Sequence, residues 1–100
     1  MVEPEVPDAS EVTNDPAAGR FQIRTEQGTA LLNYTRRGND LDLMHTEVPR
    51  ALEGRGYGAT LAAAALDYAR REGMKVIPSC PFVKAYLARH PEDAALVAQR

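Results

Sequence analysis

Three glycines alternate with Arg55 and Tyr57 in the stretch EGRGYGATLAAA, directly ahead of the richest alanine run in the chain. Glycine costs a helix about 1 kcal/mol relative to alanine, so Gly54, Gly56 and Gly58 at a helix start need a reason. A helix start carries unpaired backbone N–H groups and about half a positive charge, and residues without a Cβ let an anion reach them. Arg55 adds a full charge. The spacing reads as an anion site, most simply for phosphate; the alternative is a glycine turn kept for its geometry. A Walker-type loop is excluded, because no Lys-Ser/Thr pair follows the last glycine. GRGYGA fits the dinucleotide fingerprint G-x-G-x-x-A, but the next strand ends in IPSC instead of an acidic residue. The chain is also too short to supply both nucleotide-binding halves.

A second set of chemically capable side chains flanks that turn. His45 and Glu47 lie two apart on a strand and so share a face; imidazole is the side chain that titrates near neutral pH. Cys80 sits between Pro78 and Pro81, just before a helix start, where a thiolate is favoured. Each has a plainer reading: a strand histidine bonded to its neighbour, a solvated glutamate, and a buried inert thiol. His90 closes a helix and receives no chemical role.

These residues need elements to hold them. RFQIRTE, from Arg20 to Glu26, alternates Phe21, Ile23 and Thr25 against Gln22, Arg24 and Glu26, the period of a half-buried strand. After a turn at Gln27–Gly28, TALLNYTRR reads as the next strand, and RGND turns the chain again. LDLMHTEV, from Leu41 to Val48, alternates once more and stops at Pro49, completing an antiparallel meander. The period then changes: between Tyr57 and Glu72, Leu61, Ala62, Ala65, Leu66 and Ala69 share a helix face opposite Thr60, Asp67, Arg70 and Arg71. Gly73 follows where a left-handed cap is wanted. MKVIPSC reads as a fourth strand, FVKAYLARH as a short amphipathic helix, and PEDAALVAQR as the beginning of another helical turn. The order β-β-β-α-β-α predicts an α+β domain whose mixed sheet is antiparallel at first and parallel across the strand–helix–strand crossover.

One hundred residues make one domain. Residues 1–19, rich in proline and acid with no basic or aromatic residue, have the composition of a disordered acidic tail, leaving residues 20–100 as the domain. The tail lacks the basic and apolar regions of a signal peptide. So small a domain would gain stability from a homodimer or a bound ligand. Of the 14 acidic residues behind the net charge of −2, 5 lie in the tail while all 12 lysines and arginines follow it, so the folded part is mildly basic. That balance suits a small anionic ligand and argues against nucleic acid, whose partners gather basic residues on one face. A single cysteine excludes an internal disulfide. No apolar run reaches the roughly 18 residues of a membrane span. A cytoplasmic protein is expected, and no metal cluster suggests itself.

The segment HTEVPRALEGRGYGATLAAAALDYARREGMKVIPSCPFVKAYLARHPE resembles the GNAT acyltransferase superfamily in its motif A strand–turn–helix. It is more closely similar to a subfamily of very short GNAT-like acetyl-CoA-binding proteins. These share an HTEVP-type strand end, an EGRGxG turn and a CPFV…Y…RHPE segment, and the likeness covers Phe21 to Val97. The resemblance implies a GNAT fold in a minimal version without the N-terminal helices that usually shape the acceptor side. It implies that backbone N–H groups of Glu53, Gly54, Arg55, Gly56, Tyr57 and Gly58 hold the pyrophosphate of acetyl-CoA. The pantetheine arm would run along Glu47 and Val48, in a gap between splayed parallel strands, with the thioester near the start of SCPFVKAY. Glu53 departs from the superfamily pattern, which has Gln or Arg there; its carboxylate is expected to point away. The acceptor pocket is then shallow, completed by a second subunit, or absent.

In such a protein, acetyl transfer to an amine needs a base, an oxyanion donor and an acid for the leaving thiolate. His45 and Glu47 are the candidate bases. Tyr86 is the candidate acid by resemblance, although a shifted register would put Leu87 at that position and leave Tyr86 to pack in the core. Cys80 would accept the acyl group and pass it on, whereas the superfamily's usual route is direct transfer. The reading is an acetyl-CoA-dependent N-acetyltransferase-like protein acting on an unidentified amine. The alternatives are a module that holds acyl-CoA without turnover, and a glycine turn that packs against another protein.

Overall fold

The structure, a computed structural model, describes residues 9–98. The elements run β1 (Thr13–Asp15), β2 (Arg20–Thr25), β3 (Gly28–Arg37), β4 (Asp40–Glu47), α1 (Tyr57–Arg71), β5 (Lys75–Pro78) and α2 (Pro81–Arg89). Short 3-10 turns lie at Ala9–Glu11, Arg50–Leu52 and Pro91–Leu96. The sheet order is β1-β2-β3-β4-β5. The first four strands pair antiparallel, and β5 joins β4 in parallel after the α1 crossover. From β2 onward this is the mixed α+β order expected of the sequence.

The helix face read from spacing is the one that packs: Leu61, Ala62, Ala65, Leu66 and Ala69 are all buried. The alanines bring the helix close to the sheet, where it meets Phe21, Ile23, Leu32, Tyr34, Leu41, Leu43 and Val76 in one core. Each fully buried leucine contributes roughly 1.5–3 kcal/mol, so Leu61 and Leu66 carry most of the seam. Arg71 Nε donates to Asp67 Oδ2 at 3.0 Å, the expected one-turn pair. Gly73 ends the helix at φ 67°.

Two features differ from expectation. The tail was expected to stay outside the fold as far as residue 19, yet Thr13–Asp15 pairs with β2 through Thr13↔Gln22 and Asp15↔Arg20. Composition alone does not register what holds it: Tyr34 Oη donates to Asn14 Oδ1 at 2.6 Å, and Val12 packs against the core. The rest of the expected tail, residues 1–8, lies outside the described residues, as do residues 99 and 100. Among the described residues, a single 3-10 turn precedes β1, with no long helix before the sheet.

The second feature is a bulge. Asn33 pairs with His45 but Tyr34 pairs with Leu43, so Met44 is an extra residue in β4. Directly opposed residues share a face, and Asn33 and Tyr34 point to opposite faces. Leu41 and Leu43 therefore face the helix with Tyr34, while His45 and Glu47 turn to the outer face. Thr46, opposite Leu32, takes the inner one. No helix of the described residues is long and apolar enough to cross a membrane.

Candidate functional site

The parallel pairing of β4 with β5 begins at Asp40↔Lys75 and ends at Leu43↔Pro78. Pro78 has no N–H to continue the ladder, and Cys80 N donates to Leu43 O at 2.9 Å as the chain turns away. Asp42, buried at the split, accepts from Ser79 Oγ at 2.6 Å and from Arg37 Nε at 3.2 Å. Beyond Leu43, β4 continues to Glu47 paired with β3 alone. The main chain of Met44 to Glu47 is thus left open on the β5 side, between diverging elements.

A groove of about 680 Å³ opens at the end of that gap, lined by Thr46, Glu47, Val48, the Glu53–Gly54 and Gly56–Ala59 segments, and Phe82 among others. At its head lies the glycine turn. Gly54 and Gly56 hold φ of 79° and 90°, the left-handed region where a side chain is strained, and a Cβ on either would stand in open space. Gly56 caps α1 with no side-chain bond, and the first intrahelical bond runs from Thr60 N to Gly56 O at 3.0 Å. Among the described residues, no protein acceptor takes the N–H groups from Gly54 to Ala59. Amides without a protein acceptor thus cluster at the helix start, where Gly54 and Gly56 to Ala59 line the groove.

Gly58 has a different reason. Its Cβ would meet the Phe82 ring at 2.8 Å, so the missing side chain lets α2 close against α1. Phe82 is nonetheless 43% exposed, because its other face forms groove wall. Sequence reasoning passed over Phe82, Thr46 and Leu52. Phe82 was legible only as one apolar position of a short amphipathic helix.

The residues expected at the site are partly brought together. Glu47, Val48, Glu53, Gly54, Gly56, Tyr57 and Gly58 all line the groove. Arg55 is exposed and is not part of its wall. The lining residues include two acidic ones, Glu53 and Glu47, the latter with its carboxylate paired to His45, and no cation. Any anion held there relies on amide dipoles and on Arg55 nearby in the chain. His45 Nε2 donates to Glu47 Oε2 at 3.1 Å on the exposed outer face, a pairing that fixes the ring's orientation. Cys80, 3% exposed, caps the N-terminus of α2, and its Sγ lies 3.3 Å from Thr46 Oγ1. Tyr86 is not drawn into the groove. Its ring stacks on His90 with centroids 3.9 Å apart, and burial, then Asp93 and Glu92, push its phenol above the ordinary value. It stays protonated through neutral pH, but among α2, His90 and the following turn.

The backbone fits coenzyme A: free amides at a helix start, positive-φ glycines and an open strand edge lie along one groove. The chemistry such a groove allows is the holding of a phosphorylated, elongated ligand alongside Thr46, with the buried Cys80 behind that hydroxyl.

Comparison with known proteins points the same way. The family model described as GCN5-related N-acetyl-transferase matches residues 20–96. Protein NATD1 of Gallus gallus is 36% identical over 84 residues, covering 81% of this chain and 76% of its own. Protein NATD1 of Homo sapiens is 36% identical over 83 residues, with 80% and 74% covered. The NMR solution structure of a GCN5-like protein from Staphylococcus aureus matches with a TM-score of 0.71 at 26% identity, over 90% of this chain and 89% of that one.

Proposed function

The chain belongs to the GCN5-related N-acetyltransferase family, and from that membership we propose that it is an acetyl-CoA-dependent N-acetyltransferase acting on an unidentified amine. The observation that carries this reading is the run of unsatisfied amides from Gly54 to Ala59 at the head of the groove. These donors, with Arg55 beside them, would hold the diphosphate of coenzyme A, and the open edge of β4 near Glu47 and Val48 would take its amide-bearing arm. When bound, acetyl-CoA supplies a thioester, an acyl group activated for transfer to nitrogen.

The protein's own part is then binding and proton handling. Cys80 is the nucleophile of this reading: its sulfur takes up the acetyl group, its proton leaves with the freed coenzyme thiol, and the acetyl group passes on to an amine. His45, its Nε2–H held by Glu47 on the outer face of the sheet, lies on the other side from Cys80 and is assigned no proton in this reading. Tyr86, stacked on His90, is assigned no proton.

Titration with coenzyme A is expected to move amide resonances of residues 53–59 and of Glu47 and Val48. Shifts that are scattered, or absent there, overturn the cradle. Incubation with acetyl-CoA is expected to add one acetyl to the intact mass, and Cys80→Ala to abolish the gain. A gain that persists without Cys80 removes the thiol from the mechanism. The burial of Cys80 and the placement of Tyr86 favour a second reading, a module that holds acyl-CoA without turnover. Release of free thiol across a panel of amines separates the two.

A further inference from the structure

We propose that Thr46 is the positioning residue for Cys80: its hydroxyl fixes the thiol sulfur just behind the groove wall and donates to it once the thiol has lost its proton. The proposal rests on the reading of the groove as a thioester site, and it concerns a residue which that reading did not use.

Thr46 owes its orientation to the bulge at Met44. In an unbroken strand, position 45 would face the helices with Leu41 and Leu43; the extra residue hands that face to Thr46 instead. Its Oγ1 lies 3.3 Å from Cys80 Sγ, the hydrogen bond recorded for that sulfur among the described residues. Both partners have fixed backbones. Thr46 is paired to Leu32 in the ladder, while Cys80 N donates to Leu43 O at 2.9 Å and Cys80 O accepts from Lys84 N at 3.0 Å. Only side-chain torsions remain, and β-branching restricts that of threonine. Thr46 lines the groove, whereas Cys80 is 3% exposed, so the hydroxyl stands at the contact between the sulfur and the groove.

A hydroxyl rotor suits this place because it accepts from S–H and donates to S⁻ with no heavy atom moving. A valine of the same shape would leave a buried thiolate without that donor, and such loss is costly for a charged group. His45 cannot substitute, since it faces the other side of the sheet.

The test uses Cys80 as the only cysteine in the chain and follows its alkylation by iodoacetamide through intact mass. Four side chains at position 46 separate hydroxyl from methyl. Thr46→Ser is expected to alkylate within about twofold of the parent, and Thr46→Val and Thr46→Ala about tenfold more slowly. Rates that follow the methyl, with Val like the parent and Ser like Ala, show packing alone and overturn the proposal. So do four equal rates, or a parent thiol that does not react. Coenzyme A added to the parent is expected to slow alkylation. Hydroxyl-dependent rates that the coenzyme leaves unchanged uphold Thr46 and overturn the groove reading instead.

Discussion

Gly56→Ala is expected to weaken coenzyme A binding about 100-fold, while Gly38→Ala leaves it unchanged, although both lose roughly 1–2 kcal/mol of stability. The two glycines are matched in strain. Gly38 holds φ 63° in the β3–β4 turn, Gly56 holds φ 90° at the cap of α1, and a new Cβ on either meets nothing within 4 Å. Alanine at either site pays for left-handed backbone or relaxes out of it. They differ in what the backbone serves. Relaxation at Gly56 re-aims the first amides of α1, and the added methyl stands at the groove wall. Losing two charge-assisted bonds to a phosphate, at about 1.5 kcal/mol each, accounts for the factor of 100. Calorimetric titration of both variants measures it. Equal affinities would mean that the amides after Gly56 do not hold the ligand, whatever else binds in the groove.

The contrast between the glycines also shows where sequence reasoning succeeds. Period-2 alternation located β2 and β4, and 3.6-residue spacing located α1 down to the residues of its buried face, because both patterns are imposed by water on every residue of an element. Gly54 and Gly56 were legible because few other residues tolerate their backbone. Gly58 looked like a third member of the set but answers to Phe82, a contact 24 positions away that no local pattern encodes. The bulge at Met44 was invisible for a related reason. LDLMHTEV alternates well enough with or without an inserted residue, and only pairing with Asn33 and Tyr34 reveals the change of face. Reading through it kept His45 and Glu47 together, which the structure also does, but hid Thr46. Tyr86 was placed at the acid position by resemblance, and its stacking on His90 depends on how α2 ends. β1 escaped because a three-residue edge strand, tied to β3 through the Asn14–Tyr34 bond and to β2 through its ladder, has no compositional signature.

Leu61→Ala is expected to cost about 3 kcal/mol, a large share of the 5–15 kcal/mol that stabilises a domain. The reason is the makeup of α1, whose buried face is alanine except for Leu61 and Leu66 among its aliphatic side chains. Leu61 is 0% exposed and lies one turn after the glycine cap, so it ties the amide-bearing end of the helix to the sheet. Removing it opens a cavity that close-packed strands fill poorly. For a domain of this length the thermal midpoint should fall by about 15 °C, with the urea m-value unchanged. A loss below about 1 kcal/mol would mean that the α1 face is not the seam of the core. The same variant reports on the groove, because a ligand that binds only the folded chain stabilises it by mass action. Coenzyme A at about 100 times its dissociation constant should restore close to 2.7 kcal/mol, nearly the whole deficit. Restoration in Leu61→Ala, together with its failure in Gly56→Ala at the same coenzyme concentration, would locate the ligand at the start of the helix that Leu61 anchors. A destabilised Leu61→Ala that the coenzyme does not rescue would detach the glycine turn from coenzyme binding while leaving the fold's energetics as described.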